Sequence, residues 1–125
     1  MQVQAIRRDF REWPVNRARL NPSTAMALIT IDHIYEVYAI AVFEGRVSIQ
    51  IINDVDIIDW LPAWFFQTVD AAIPEDWIVK LLDGNLQLVM GPDFVAADEA
   101  AYSRMVDLEP EPVAAFWQRL DARAD

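Results

Sequence analysis

Apolar and polar residues alternate most clearly before the middle of the chain, and this alternation predicts β-strands. In residues 47–51 every second residue is valine or isoleucine, so the apolar side chains share one face of a strand. Residues 36–43 are apolar on both faces, which favours a central strand that is covered on both sides. Glu44-Gly45 joins the two as a tight hairpin turn, because glycine readily adopts positive φ.

Further strands are predicted on either side of this hairpin. Residues 1–6 alternate briefly, and residues 25–31 are rich in β-forming side chains, with Asp32-His33 as the turn that follows. Residues 77–82 and 86–90 form a second hairpin around Asp83-Gly84-Asn85, since Asp-Gly is a favoured hairpin dipeptide.

Helical spacing appears in three places. Four aromatic residues lie within residues 60–66, where Trp60 and Trp64 would share one helix face; this predicts a helix within about residues 57–69, with Asp56 as its cap. A short helix is predicted from Asp98. The last helix follows Pro112 and has an apolar stripe at positions i, i+3, i+4 and i+7, namely Val113, Phe116, Trp117 and Leu120.

The order of these elements predicts an α+β fold. We expect an antiparallel sheet of about five strands, with a central aromatic-rich helix and two C-terminal helices packed on it. The 125 residues suit a single domain, 1–125, composed of a basic N-terminal segment, 1–23, and an acidic body, 24–125.

The net charge of −10 is unevenly distributed along the chain. Residues 1–20 hold five arginines and two acids, a net charge of +3, so the remaining residues carry −13. An acidic body repels phosphate backbones and anionic lipids, which disfavours nucleic acid and membrane as partners, and it attracts basic proteins. Solubility alone also accounts for such a charge. The sequence contains neither a signal peptide nor a membrane-spanning apolar run, so we expect a cytoplasmic protein.

Residues for cofactor or catalytic chemistry are few. The chain has no cysteine, one histidine and three isolated glycines, so no cofactor and no metal site is predicted. His33, beside Asp32, is a general base, one ligand of a metal ion or an ordinary turn residue, and we favour the turn.

Two clusters are the candidates for a binding site. Asp54, Asp56 and Asp59 are explained by a helix cap, by a cation or acid-pair site, or by contact with a partner. Trp60 and Trp64 belong either to the core or to an exposed anchor, since tryptophan is enriched at binding hot spots. We predict that these five residues bind a partner.

These features favour a non-enzymatic binding protein that docks a basic protein through an acidic, aromatic-edged surface. In size, acidity and lack of catalytic motifs the chain is similar to small bacterial immunity-type proteins, a resemblance of general character only. That resemblance implies a partner such as a toxin nuclease. Two alternatives stay open: a small enzyme or ligand-binding domain with a cavity between sheet and helices, and a homodimer with the aromatic helix as its seam.

Overall fold

The computed structural model describes residues 1–12 and 26–124 of the chain. Eight strands and three α-helices lie within these residues, with short 3-10 helices at Phe10–Glu12 and Ala63–Phe65. The strands are β1 (Gln2–Ala5), β2 (Ile34–Glu36), β3 (Ala39–Phe43), β4 (Arg46–Ile52), β5 (Ile58–Pro62), β6 (Phe66–Asp70), β7 (Ile78–Leu81) and β8 (Leu86–Gly91). The helices are α1 (Asp93–Ala96), α2 (Glu99–Val106) and α3 (Pro110–Ala124).

The strands form two antiparallel sheets, which confirms the α+β class. The larger sheet has five strands in the order β5-β4-β3-β8-β7, and the smaller has three in the order β2-β1-β6. An antiparallel sheet of five strands is therefore present as predicted, although its edge strand β5 comes from the segment predicted as a helix, and a second sheet that the sequence did not predict lies beside it.

The five-stranded sheet is covered on both faces. Its inner face packs against the three-stranded sheet through one apolar cluster, to which it contributes Ile40, Ile49, Ile51, Leu61 and Met90. Its helix face packs against the α-helices through a second cluster, to which it contributes Ala39, Ala41, Ile58 and Val89. The protein thus has three layers: small sheet, large sheet and helices.

The predicted central position of the doubly apolar strand is confirmed, because β3 is the middle strand of the large sheet. The hairpin that joins it to β4 is confirmed too. Glu44 and Gly45 both have positive φ, 50° and 77°, the conformation of a two-residue turn that matches the twist of paired strands. The hairpin of β7 and β8 also forms as predicted.

The predicted aromatic helix is wrong. Residues 58–70 form β5, a 3-10 turn and β6, so the chain crosses from the large sheet to the small one. Side chains of β5 alternate between faces: Leu61 enters the inner core and Trp60 turns toward the helices. The i, i+4 spacing of aromatics fits a helix, but pairing with β4 directs the neighbouring side chains of Trp60 and Leu61 into two different cores.

Two strand predictions need correction. Residues 36–43 are not one strand, because the chain breaks at Val37 and Tyr38 and enters a different sheet on each side of the break. The strand predicted for residues 25–31 is reduced to a single bridge between Asp9 and Met26, and Ala25 lies outside the described residues. Instead of pairing as a strand, the backbone of residues 27–32 makes single hydrogen bonds to the backbone of Arg8, Ala5 and Asp54.

The two C-terminal helices are confirmed. Asp98 caps α2 by accepting a hydrogen bond from the backbone N–H of Ala101 at 2.7 Å. In α3, Phe116 is buried and the other three residues of the predicted stripe pack partly buried against the helix-side core. The short α1 helix was not predicted.

Candidate functional site

The turn between β4 and β5 carries two of the three clustered acids and is held rigidly by Asn53. The Asn53 side-chain oxygen accepts hydrogen bonds from the backbone N–H of Val55 at 3.0 Å and of Ile57 at 3.1 Å. Its amide nitrogen donates to Asp59 at 3.2 Å. Asn53 is only 5% exposed, so this network is sheltered from water and fixes the path of the turn.

Asp54 ties the turn to the neighbouring loop. Its two carboxylate oxygens accept hydrogen bonds from the hydroxyls of Thr30 and Tyr35, each at 2.6 Å. The Thr30 bond, then the Tyr35 bond, and to a smaller extent the charges of His33 and Arg8, lower the pKa of Asp54. The pKa of Tyr35 is raised, mainly because the hydroxyl is partly buried and secondly because it donates a hydrogen bond to Asp54.

This turn does not cap a helix. Asp56 has a positive φ of 60° and lies exposed at the tip of the turn, and the next regular element is β5. The predicted cap for Asp54, Asp56 and Asp59 is therefore wrong. The reason is that the chain continues as a strand paired with β4, whose backbone N–H groups are satisfied by the ladder rather than by a carboxylate.

Aliphatic side chains stand beside the acids at this turn. Leu28, Val55 and Ile57 are each about half exposed, at 51%, 52% and 50%. The backbone carbonyl of Leu28 accepts a hydrogen bond from the N–H of Asp54 at 2.9 Å, so the two segments are adjacent. We call Leu28, Asp54, Val55, Asp56 and Ile57 the acidic turn surface. An open groove of about 310 Å³ runs along part of it.

Asp59 and Trp60 point away from each other. Asp59 lies opposite Ile51, on the inner face, and Trp60 lies opposite Gln50, on the helix face. The Trp60 ring packs edge-on against Tyr102, with ring centroids 5.4 Å apart. Asp59 thus adjoins the acidic turn surface through Asn53, whereas Trp60 belongs to the contact between sheet and helices.

Trp64 lies in the 3-10 turn, away from Trp60. It is 36% exposed. The Arg7 guanidinium lies over its ring, 4.3 Å from the centroid, and donates a hydrogen bond to the Trp64 carbonyl at 2.7 Å. The prediction that Trp60 and Trp64 share a face is wrong, since no helix aligns them. Partner binding by the five predicted residues stays a prediction.

The enzyme alternative places His33 or a carboxylate at the mouth of a cavity between sheet and helices. His33 is exposed in the turn before β2, on the side of the small sheet. The helices cover the opposite face of the large sheet, where a cavity of about 160 Å³ lies among α1, α2 and α3. His33 therefore does not lie at this cavity, whereas three carboxylates, those of Asp93, Asp98 and Glu111, are among the side chains that line it.

The acidic turn surface includes residues that the sequence did not single out. Val55 and Ile57 alternate with Asp54 and Asp56, and this alternation in a turn was the available signal. Leu28 has no such signal, because a loop brings it to the turn from 26 positions away. Within the part of the chain that the structure describes, no three histidine or acidic side chains converge to hold a metal ion.

Comparison with known proteins gives no relative. No protein-family model, no curated protein and no solved structure matches the chain. No helix among the described residues has the length and apolar character needed to cross a membrane.

Proposed function

We propose that this protein is a non-enzymatic binding protein that docks a basic protein partner through the acidic turn surface. The observation that carries the proposal is the geometry of the β4–β5 turn. Asn53 and Asp54 fix its backbone by side-chain hydrogen bonds, while Asp54 and Asp56 remain exposed beside three half-exposed aliphatic side chains. A surface fixed before binding loses little conformational entropy on association.

The overall charge supports the same partner class. At a net charge of −10 the chain repels acidic molecules over several ångströms and accelerates the approach of basic ones. Asp54 and Asp56 then meet cationic side chains, and Leu28, Val55 and Ile57 bury apolar area beside them. Charge governs the association rate in such interfaces, and buried apolar contacts govern dissociation.

In its most specific form the proposal makes the chain a cytoplasmic immunity protein that neutralises a bacterial toxin such as a nuclease. A nuclease cleft is positively charged because it binds phosphates, so an acidic surface with apolar side chains is complementary to it. The gene next to the coding sequence is the first source of candidate partners.

The test uses the purified product of that gene and measures association and dissociation rates at several salt concentrations. Raising salt should slow association about tenfold or more and change dissociation little. Val55→Ser should speed dissociation, because it removes an apolar contact. Its matched control is Ile34→Ser, because Ile34 is an aliphatic residue of similar exposure, 57%, on the small sheet.

A second pair of variants isolates the charge at the surface. Asp56→Asn should slow association more than Asp121→Asn, which removes the same charge from an exposed position of α3. Equal effects of Val55→Ser and Ile34→Ser, or a rate that salt does not change, would contradict the proposal.

A further inference from the structure

Strand β7 forms one edge of the large sheet and is unusually apolar for an edge. It pairs only with β8 among the described strands. All four of its residues are exposed, and three are aliphatic: Ile78 at 43%, Val79 at 56% and Leu81 at 74%. An exposed apolar edge strand is a template for pairing with another strand.

The inner face beside this edge is also partly exposed. Pairing registers place Leu81, Leu88, Val42 and Val47 in one row across four strands. The small sheet covers the neighbouring row through Ile40 and Ile49, but this outer row stays partly exposed, with Val47 at 44%. The apolar edge therefore continues into an apolar area of the sheet.

Charge indicates what covers this edge. Residues 77–91 contain one basic and one acidic residue, Lys80 and Asp83, so the hairpin has no net charge in a chain of −10. A basic partner gains no electrostatic attraction at a neutral edge. A second copy of the chain meets less repulsion at this neutral edge than at an acidic surface.

We propose that two copies of this chain pair antiparallel through β7 and extend the two five-stranded sheets into one. The contact is isologous, since each copy contributes the same strand, and it needs no second protein. The apolar inner face of one large sheet then continues into that of the second copy, and the exposed aliphatic side chains of β7 are covered.

The pleat restricts the register of this pair. Directly opposed residues must share a face, and two registers keep most of β7 paired. One places Lys80 opposite Lys80 of the second copy, which like charges disfavour. The other places Val79 opposite Val79 of the second copy and Lys80 opposite its Ile78. We propose the register centred on Val79.

Single-cysteine variants test the register, because the natural chain has no cysteine. Opposed residues of antiparallel strands have Cα atoms about 4.5–5.5 Å apart, within the range that a disulfide spans. Under mild oxidation Val79→Cys should form a covalent dimer in high yield. Ile73→Cys, at an exposed aliphatic position outside any strand, should form little. More dimer from Lys80→Cys than from Val79→Cys would overturn the register.

Sedimentation equilibrium of the unmodified chain tests the pairing itself. The dimer fraction should rise with protein concentration and with salt, because salt screens repulsion between two acidic bodies. Leu81→Glu should weaken the dimer about tenfold or more, whereas Ile73→Glu, which adds the same charge, should weaken it far less. A monomer at every concentration and salt, or a dimer that Leu81→Glu leaves intact, would overturn the proposal.

This inference is independent of the proposed partner. The acidic turn surface lies at the β5 end of the sheet and the pairing edge at the β7 end. Salt should also affect the two interactions in opposite directions: it strengthens the dimer, and it slows association with a basic partner. Failure of one proposal therefore leaves the other standing.

Discussion

Asp54 and Asp56 are two positions apart and have different surroundings. Both oxygens of Asp54 accept hydroxyl hydrogen bonds, whereas Asp56 lies exposed at the tip of the turn. Position in the sequence therefore does not determine the role of an acid in this cluster. In the interface that we propose, Asp54 both maintains the turn and adds negative charge, whereas Asp56 adds negative charge alone.

Asp54→Asn should lower the free energy of unfolding at neutral pH, because only one acceptor oxygen is left for two hydroxyl donors. The expected loss is about 1 kcal/mol, since water partly screens an exposed carboxylate. The folded protein lowers the pKa of Asp54. Its contribution is thus present above the ordinary aspartate pKa of about 3.9 and is lost as pH falls through the lower folded value.

Urea unfolding at pH 7 and near pH 3 measures this difference, which should shrink in acid. Asp56→Asn is the control and should leave stability nearly unchanged at both pH values. An Asp54→Asn variant as stable as the parent at neutral pH would show that the hydroxyl bonds do not hold the turn.

Gln50 is a buried polar residue on the helix face of β4. It is 0% exposed, and neither its amide nitrogen nor its oxygen has a hydrogen-bond partner. An unpaired buried amide opposes folding, since it loses its bonds to water. Gln50→Met should therefore raise the free energy of unfolding by about 1 kcal/mol or more.

Gln87→Met is the control variant for Gln50→Met. The Gln87 side chain accepts a hydrogen bond from the N–H of Gly45 at 2.7 Å, so its loss should bring no gain in stability. Chemical denaturation measures the free energy of unfolding of both variants and of the parent. If Gln50→Met unfolds more easily than the parent, the Gln50 amide is satisfied in solution.

At the scale of elements, residues 58–70 show how pairing overrides local spacing. As a helix this segment would expose part of its wide apolar surface, but as β5 and β6 it fills two cores. Leu61 and Phe65 are buried at 2% and 0% in the inner core. Helix α3 is simpler, because one stripe packs on one face and spacing alone predicts it.

Phe116→Ala in α3 should cost about 3–5 kcal/mol, because Phe116 is 3% exposed and stacks edge-on with Tyr38 at a centroid distance of 4.9 Å. Trp117→Ala should cost less, since Trp117 is only partly buried. Thermal unfolding measures both, with Gln118→Ala as the exposed control. A larger loss for Trp117→Ala would mean that the helix packs with a different face.

Gly91 sets the distance between β8 and α1. A Cβ atom at this position would lie 2.8 Å from a Val95 methyl and 3.0 Å from the Ala39 Cβ. Gly91→Ala should therefore destabilise the protein by about 1–3 kcal/mol through overpacking. Gly84→Ala is the matched control, because a Cβ there meets nothing within 4 Å. Equal melting temperatures for the two variants would contradict this packing.

At the scale of the whole molecule, the dominant feature is negative charge. Arg119 pairs with Asp76, Arg11 with Asp9 and the N-terminal amine with Glu36, but the chain has 20 acidic residues against 10 lysines and arginines. Like charges on one compact body repel each other and oppose folding. The same field attracts the basic partner that we propose.

Moderate sodium chloride should accordingly raise the melting temperature by a few degrees, because the screening length falls from about 30 Å at 0.01 M to about 10 Å at 0.1 M. The measurement uses Leu81→Glu at low protein concentration, so that dimer formation does not contribute. An uncharged solute at equal osmolality is the control. A melting temperature that falls with salt would mean that attractive ion pairs outweigh the repulsion.

The sequence by itself determined several local elements of this protein and its charge. Alternation predicted β4, turn dipeptides predicted both hairpins, and a single apolar stripe predicted α3, because each signal lies within a few neighbouring residues. Only the tertiary structure decided that residues 58–70 are strands, that residues 36–43 divide between two sheets, and that Leu28 joins the β4–β5 turn. These outcomes depend on partners distant in sequence, such as β4 for β5 and β1 for β6, and the free energy of burial against those partners exceeds local preference.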